Sequence, residues 1–164
     1  MSLAIESATV DDVPLILELI GELADFEQLR HEVTATEADL RRTLFGEHPG
    51  AEVVIARLDG NAVGFALFFH NYSTFLGQPG IYLEDLYVRS VARGNGVGQA
   101  MLVRLARLAR ERGCGRLWWV LDWNERAIAF YRELGAAPMD EWTVFRLDRA
   151  GIDKLADEPT KGAS

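Results

Sequence analysis

The sequence has a single cysteine, three histidines and no long apolar run. Cys114 cannot form an internal disulfide, which fits a reducing compartment. His31, His48 and His70 lack metal-ligand spacing, so we expect surface or loop roles for them and no metal site. No stretch of 18 apolar residues suggests a membrane span, and the start, MSLAIE, does not resemble a secretory signal. We therefore expect a cytoplasmic protein that does not contact a membrane.

Basic residues are also scarce. The chain has 17 Lys and Arg against 25 Asp and Glu, which gives a formal net charge of −8. A nucleic-acid-binding domain usually has the opposite balance, so no nucleic-acid partner is expected. An acidic surface suits a cationic small molecule, but it also serves solubility alone. The charge leaves both explanations open.

Repeats, linkers and low-complexity segments are absent too. A chain of 164 residues fits one domain with a substantial core. We predict one domain over residues 1–156. The polar residues 157–164 include Pro159 and Gly162, and we predict that they form a flexible C-terminal tail.

The spacing of apolar residues predicts the element order β-α-α-β-β-β-α-β-α-β. Strands are predicted at residues 3–7, 52–58, 62–70, 81–88, 117–121 and 142–147. Helices are predicted from a cap at Thr9 to about Phe26, from Thr36 to before Gly46, over about 98–112, and from a cap at Asn124 to Gly135. This order favours an α/β (α+β) fold in which a mixed sheet carries helices on both faces.

The segment Arg93-Gly-Asn-Gly-Val-Gly98 joins a predicted strand to a predicted helix. Glycines let an anion approach the unpaired N–H groups of a helix start, and Arg93 adds a cation, which together favour a phosphate site. The glycine spacing matches neither the P-loop nor the dinucleotide-binding fingerprint, so an NTPase or a dinucleotide enzyme is not expected. The alternative is a tight turn that holds no ligand.

This loop resembles the acetyl-CoA loop of the GNAT N-acetyltransferase superfamily, whose pattern Arg93, Gly96 and Gly98 match. The segment "WNERAIAFYRELGA", residues 123–136, is similar to a second signature of that family. Three further blocks, "ELADFEQ", "FGEHP" and "YLEDLYV", resemble the diamine (spermidine/spermine and thialysine) N-acetyltransferases. Two features depart from that subgroup: the tight connection at Asp59-Gly60, and the acidic Glu133 after Arg132, which puts contact with the CoA phosphates in doubt.

The resemblance implies a GNAT-like, mostly antiparallel central sheet and acetyl-CoA as the acetyl donor. It implies that strand 82–88 diverges from strand 117–121, so that backbone groups near Leu86 and Val88 bind the pantetheine arm and face the thioester oxygen. It also implies that Asn124 bonds the pantetheine arm. The residues expected to bind the cofactor are Leu86, Tyr87, Val88, Arg93, Gly94, Asn95, Gly96, Val97, Gly98, Gln99, Asn124, Phe130 and Tyr131.

Two residues are the catalytic candidates. Glu84 lies between apolar strand neighbours, where partial burial would raise its pKa toward that of a useful base; the alternative is an ordinary strand-edge charge. Tyr131 lies on the apolar stripe of its helix, and by resemblance it protonates the leaving thiolate; the alternative is a core tyrosine bonded to backbone. Cys114 is a poor candidate for a nucleophile, because no histidine lies near it in sequence.

The amine substrate is expected to meet acidic side chains, because a diamine has a second cationic end. The candidates are Glu27, Glu32, Glu84 and Asp85, each of which can also be a plain surface charge. The leading hypothesis is an acetyl-CoA-dependent N-acetyltransferase that acts on a small primary amine, such as a polyamine or a lysine-like amino acid. The alternatives are acetylation of a protein N-terminus or lysine, and a non-catalytic acyl-CoA-binding module. By resemblance we expect a homodimer.

Overall fold

The structure is a computed structural model that describes residues 1–121 and 125–159. The described residues form two compact units. The first unit, Met1–Val120, contains the whole sheet, and the second begins at Leu121 and contains the last two helices. In the described ranges, no helix combines the length and the apolar character that a membrane crossing requires.

Five strands and five α-helices make up the two units. The strands are β1 (Leu3–Ser7), β2 (Glu52–Leu58), β3 (Asn61–Ser73), β4 (Gln78–Val88) and β5 (Leu117–Trp119). The helices are α1 (Val13–Phe26), α2 (Glu37–Leu44), α3 (Val97–Glu111), α4 (Glu125–Glu133) and α5 (Arg149–Ala156).

The strands follow the order β1-β2-β3-β4-β5 in one sheet. Pairing is antiparallel from β1 to β4, and β5 runs parallel to β4. β2 and β3 are joined by the tight turn Asp59-Gly60, in which both residues have positive φ angles of 50° and 82°. This is the type of turn that an Asp-Gly pair favours between twisted strands.

The two faces of the sheet are covered by different helices. On one face α1 and α2 pack against the odd-numbered residues of β2 and β3 in a core of Val13, Ile16, Leu19, Leu40, Leu44, Val53, Ile55 and Phe65. The even-numbered residues Val54, Ala66 and Phe68 are also buried, on the opposite face. α3 packs against β1 to β4 and contributes the buried Met101 and Leu105 there. Both sides of the sheet are therefore covered, as the sequence predicts.

Local capping residues set where α1 and α2 begin. The Asp12 carboxylate accepts a hydrogen bond from the Thr9 N–H at 2.8 Å, ahead of a 3-10 turn that leads into α1. The Thr36 hydroxyl accepts from the Asp39 N–H at 3.2 Å, and Asp39 in return accepts from the Thr36 N–H at 3.0 Å. This reciprocal pair is a capping box, which satisfies N–H groups that a helix start leaves unpaired.

The predicted fold class, a mixed and mostly antiparallel sheet with helices on both faces, is confirmed. The predicted strand over residues 142–147 is wrong, because these residues have no regular structure. Trp142, Val144 and Phe145 are exposed. A run of β-favouring residues becomes a strand only when a neighbouring strand pairs with its backbone, and in the described residues none does. α5 was not predicted, although the Asp148 carboxylate caps it by accepting from the Gly151 N–H at 2.8 Å.

Candidate active site

A β-bulge interrupts β4 at Glu84. Phe68 of β3 pairs with Leu83 and the next residue, Leu67, pairs with Asp85, so Glu84 has no partner across the ladder. A bulge of this kind bends its strand and increases the local twist, and bulges are common beside active sites. The bulge therefore indicates that a candidate active site lies at the middle of β4.

The bulge also changes which side of the sheet the side chains of β4 occupy. Residues directly opposite one another share a face, so Leu83 lies with Phe68 on the α3 side and Asp85 lies with Leu67 on the α1 side. In an uninterrupted strand, residues 83 and 85 would share one face. The extra residue brings the Asp85 carboxyl to the face that α1 covers.

The bulge coincides with the end of pairing between β4 and β5. The last parallel pair is Leu83 with Trp119, although β4 continues to Val88. The Arg89 N–H donates to the Val63 carbonyl of β3 at 2.7 Å, and strand alternation then turns the N–H and C=O groups of Val88 and Leu86 away from β3. These backbone groups lie past the last residue that β5 pairs with. The Val88 N–H and the N–H and C=O of Leu86 can therefore bond an extended ligand, in the manner of an added strand, while the Val88 carbonyl accepts from Arg93.

The glycine loop lies between β4 and α3. Gly94 and Gly96 have φ angles of 82° and 74°, a left-handed conformation that glycine adopts without strain. A Cβ atom at either position would meet no atom within 4 Å, so the space above the loop is open. Asn95 closes the turn by donating to the Ala92 carbonyl at 3.1 Å.

Gly96 is the N-terminal cap of α3 and provides no side-chain hydrogen bond. The N–H groups of the first turn, residues 97–99, therefore point into the open space with the positive end of the helix dipole behind them. Val97 turns its side chain into the core, and Gln99 is exposed. Open space, uncapped N–H groups and left-handed glycines are the features that a diphosphate requires, so these residues fit the pyrophosphate of CoA.

Arg93 lies at the mouth of this loop. Its Nε donates to the Val88 carbonyl at 3.0 Å, and its guanidinium carbon lies 4.6 Å from the centre of the Phe26 ring at the end of α1. In the described part of the chain no carboxylate lies within ion-pair distance of Arg93. The exposed guanidinium thus places a cation beside the uncapped helix start.

Three carboxylates act together at the bulge. Glu84 is exposed and Asp85 is half-buried, so the partial burial expected of Glu84 is found at its neighbour. Burial raises the pKa of Asp85 to about 6, and the negative charges of Glu84 and Glu27 contribute to the increase. A carboxyl whose pKa is raised by burial and by neighbouring negative charges is a natural site for a cation, because a cation lowers the free energy of its charged form.

Other candidate residues lie outside this acidic group. Glu32 pairs with His31 at 3.5 Å, both side chains are largely exposed, and Glu32 is not among the charges that act on Asp85. The Tyr87 ring is tilted against that of Phe65 with the ring centres 6.5 Å apart, and burial together with the negative charge of Glu22 on α1 raises the pKa of its phenol. The side chain of Tyr87 thus lies on the α1 face of the sheet. In the described ranges, no group of three metal-ligating side chains is placed to hold a metal ion.

The remaining candidates lie on or beside α4. Asn124 lies outside the described residues. Phe130 and Tyr131 are partly buried, and their ring centres are 5.3 Å apart. Burial raises the pKa of Tyr131 above its usual 10.0, so the phenol keeps its proton at neutral pH. A proton donor needs this property.

The sequence contains a signal for the bulge that the strand prediction over residues 81–88 did not take into account. The residues of β4 on the α3 face are Ile81, Leu83, Leu86 and Val88, with a spacing of two, three and two. The step of three indicates one extra residue in an otherwise alternating strand. Arg89, Glu22 and Phe26, which join α1 to the glycine loop, had no comparable signal.

Comparisons with known proteins identify the family of the chain. The sequence profile described as the acetyltransferase (GNAT) family matches residues 17–136. Thialysine N-epsilon-acetyltransferase of Caenorhabditis elegans is 37% identical over 158 residues, covering 94% of this chain and 97% of the relative. L-ornithine N5-acetyltransferase of Arabidopsis thaliana is 34% identical and covers 92% of this chain and 88% of its own.

A solved structure is similar along most of the chain. An integron cassette protein from the mobile metagenome of V. cholerae superimposes with a TM-score of 0.81 at 29% identity, covering 96% of this chain and 99% of its own. The chain therefore belongs to the GNAT acetyltransferase family, and it is an acetyltransferase enzyme. The family generally uses acetyl-CoA as the acetyl donor.

Proposed function

We propose that this protein transfers the acetyl group of acetyl-CoA to a primary amine of a small cationic molecule, by direct attack with both substrates bound. The observation that carries the proposal is the acidic group at the bulge, where Glu84 and Glu27 help to raise the pKa of Asp85 to about 6. Glu84 and Asp85 of this group lie on β4, and the carboxyl end of β4 leads to the glycine loop. From Asp85 to Val88 the strand advances about 10 Å, so acidic and phosphate-binding features share one element.

Acetyl-CoA supplies the activated acetyl group as a thioester. The chain contributes Arg93 and the N–H groups at the start of α3 toward the pyrophosphate. The backbone groups of Leu86 and Val88 are proposed to bond the pantetheine arm, and an N–H there to donate to the carbonyl oxygen as negative charge develops on it. Tyr87, Gly94, Asn95, Gly98 and Gln99 complete the proposed cofactor-binding set, with Asn124 and Phe130.

Glu84 is the proposed base. An alkylammonium with a pKa near 10.4 is only about one part in a thousand neutral at pH 7, so a proton must leave before the nitrogen attacks. Glu84 is exposed on the bulge, where it can take this proton directly or through one water. The nitrogen then bonds the acetyl carbon as the carbon–sulfur bond breaks, and Tyr131 is proposed to donate its proton to the departing thiolate.

Asp85 and Glu27 are the proposed partners of a cationic group on the amine substrate, with Glu32 as a further acidic residue of the same connection between α1 and α2. An ammonium beside Asp85 lowers the pKa of this carboxyl again, so binding is coupled to ionisation. Relatives named for thialysine and for L-ornithine support a substrate with a second charged group. A lysine-like amino acid or a polyamine has this character.

The first test is release of free CoA from acetyl-CoA in the presence of a panel of amines. We expect turnover with ornithine, thialysine or a polyamine, and much less with a monoamine such as tyramine, which has no second charged group. Binding of CoA without turnover on any amine of the panel would argue against a small amine as the substrate. Turnover only on a peptide N-terminus or a peptide lysine would favour a protein substrate.

A further test separates binding from chemistry. Tyr131→Phe should bind CoA with wild-type affinity while kcat falls by roughly 10²- to 10⁴-fold, the usual contribution of an acid–base group. Tyr72→Phe is the matched control, because Tyr72 is exposed near the tip of the β3–β4 hairpin. Unchanged turnover in Tyr131→Phe would remove the phenol as the proton donor. The homodimer expected from the family is checked separately by sedimentation.

A further inference from the structure

Arg89 occupies the single position between the end of β4 and the segment that leads to the glycine loop. Its N–H donates to the Val63 carbonyl at 2.7 Å and its Nη1 donates to the Ala62 carbonyl at 2.9 Å, which ties it to β3. Its own carbonyl accepts from the Ala92 N–H at 2.9 Å in the 3-10 turn that follows. Arg89 is thus the residue at which the chain leaves the sheet.

The guanidinium of Arg89 also bonds two carboxylates of α1. Its Nε and Nη2 reach the two oxygens of Glu22 at 3.0 and 2.7 Å, and Nη2 reaches Glu18 at 2.6 Å. Glu18 and Glu22 are four residues apart and therefore lie on one face of the helix. The hydrogen bond from Arg89 lowers the pKa of Glu22, against the opposing effect of burial. Bidentate arginine–carboxylate pairs of this kind fix the orientation of the two side chains as well as the distance between them.

These contacts constrain the loop that follows. Four residues after Arg89, Arg93 bonds the Val88 carbonyl and lies against Phe26, one helical turn beyond Glu22. The end of α1 therefore holds the loop at two points, through Glu22 with Arg89 and through Phe26 with Arg93. Between them lies only the 3-10 turn Ser90–Ala92, whose Ala92 is buried.

We propose that Arg89 is a positioning residue for the cofactor loop: its pairing with Glu18 and Glu22 sets where residues 93–98 stand relative to the open edge of β4. The proposal rests on the proposed function, in which this loop holds the CoA pyrophosphate. Arg89 itself does not touch the cofactor in this account. A displacement of the loop by a fraction of an ångström weakens every contact to the diphosphate at once.

The test compares Arg89→Met, Arg89→Lys and Glu22→Gln with the wild type. We expect the Kd for CoA and the KM for acetyl-CoA to rise roughly tenfold in Arg89→Met, as for the loss of about 1.4 kcal/mol of binding. The KM for the amine should stay within about twofold, since Arg89 bonds none of the proposed acceptor residues. Arg89→Lys keeps the charge but loses the bidentate guanidinium, so its Kd for CoA should lie between those of the wild type and Arg89→Met.

Glu22→Gln is nearly isosteric, so it tests the same pair if Arg89→Met does not fold. The double variant Arg89→Met/Glu22→Gln should bind CoA no worse than Arg89→Met alone, because the two side chains act as one unit. Unchanged CoA affinity in both Arg89→Met and Glu22→Gln would overturn the proposal, as would an equal rise in the KM values for acetyl-CoA and for the amine. A wild-type protein that neither binds CoA nor releases it would instead overturn the proposed function.

Discussion

Among the described residues, Asp85 has a carboxyl whose pKa lies well above its ordinary value. The pKa of this carboxyl is 3.8 when unperturbed and about 6 in the fold. Because the folded value is the higher one, the folded state holds the proton more tightly, and stability falls as the pH rises from about 4 through about 6. Above this window the protein carries the full cost of a half-buried negative charge.

Replacement of this carboxyl should therefore stabilise the protein. We expect Asp85→Asn to raise Tm at pH 7.5 and to raise it less at pH 5, where part of the wild-type carboxyl is already neutral. A gain of about 1 kcal/mol corresponds to roughly 2–4 °C for a chain of this size. Calorimetry at the two pH values checks this, and a larger gain at pH 5 would contradict it.

The same variant should bind its amine poorly. Loss of a charge-assisted hydrogen bond to the cation costs about 1.5–3 kcal/mol, so KM for a diamine should rise at least tenfold in Asp85→Asn. Initial rates at saturating acetyl-CoA measure this. Glu47→Gln is the control, because it removes one exposed carboxylate elsewhere in the first unit. An amine KM that stays at the wild-type value would remove Asp85 from the acceptor site.

Glu84 should behave differently from Asp85. If Glu84 removes the ammonium proton, Glu84→Gln should lower kcat by roughly 10²- to 10⁴-fold. The loss should shrink as the pH is raised toward 9.5, because the neutral fraction of the amine grows about tenfold per pH unit. A kcat deficit that is the same at pH 7 and pH 9.5 would argue against a base and for a role in binding.

At the scale of elements, the glycine loop gives a contrast between two neighbouring positions. Gly96 has a φ of 74°, whereas Gly98 lies inside α3, where a Cβ would sit at an ordinary 3.9 Å from Val88. Gly96→Ala should destabilise the fold by about 1 kcal/mol through the left-handed backbone. Gly98→Ala should be neutral or stabilising by up to about 1 kcal/mol, since alanine favours a helix.

Urea unfolding of the two variants checks this contrast, with wild type as the reference. CoA affinity provides a second readout for Gly96→Ala, because the added methyl group enters the open space above the loop. If both alanine variants lose equal stability, the left-handed conformation of Gly96 is not the reason.

Elements held together by local signals could be read from the sequence. Thr36 with Asp39 indicates the start of α2, and Asp59-Gly60 indicates the β2–β3 hairpin. Each of these signals acts within a few residues of the chain. The segment 142–147 could not be assigned in this way. Its apolar residues favour a strand, but whether a second strand pairs with it depends on distant parts of the chain.

The acidic residues of the site were identifiable by type and by family resemblance, but their surroundings were not. The difference in burial between Glu84 and Asp85 arises from the bulge and from α1, which lies more than fifty residues earlier in the sequence. The contact of Arg89 with Glu18 and Glu22 spans 71 and 67 residues. Such pairs follow from packing of whole elements, which a local pattern does not encode.

At the scale of the whole molecule, the net charge of −8 makes the approach of a cation dependent on salt. A dication is attracted about twice as strongly as a monocation, and added salt screens both. We expect kcat/KM for a diamine to fall between about 10 mM and 300 mM salt, where the screening length shortens from about 30 Å to less than 8 Å. For a monoamine of equal length the fall should be smaller. Equal salt dependence of the two amines would show that the charge of the protein does not guide the substrate.

The β4 bulge has a genetic consequence. Because Glu84 is the one extra residue between two halves of a strand that are otherwise in register with β3, an in-frame deletion of its codon leaves every other pair of the ladder intact. Leu83 keeps Phe68 as its partner, and Asp85 keeps Leu67. We therefore expect loss of these three nucleotides to yield a chain that still folds but lacks the proposed base.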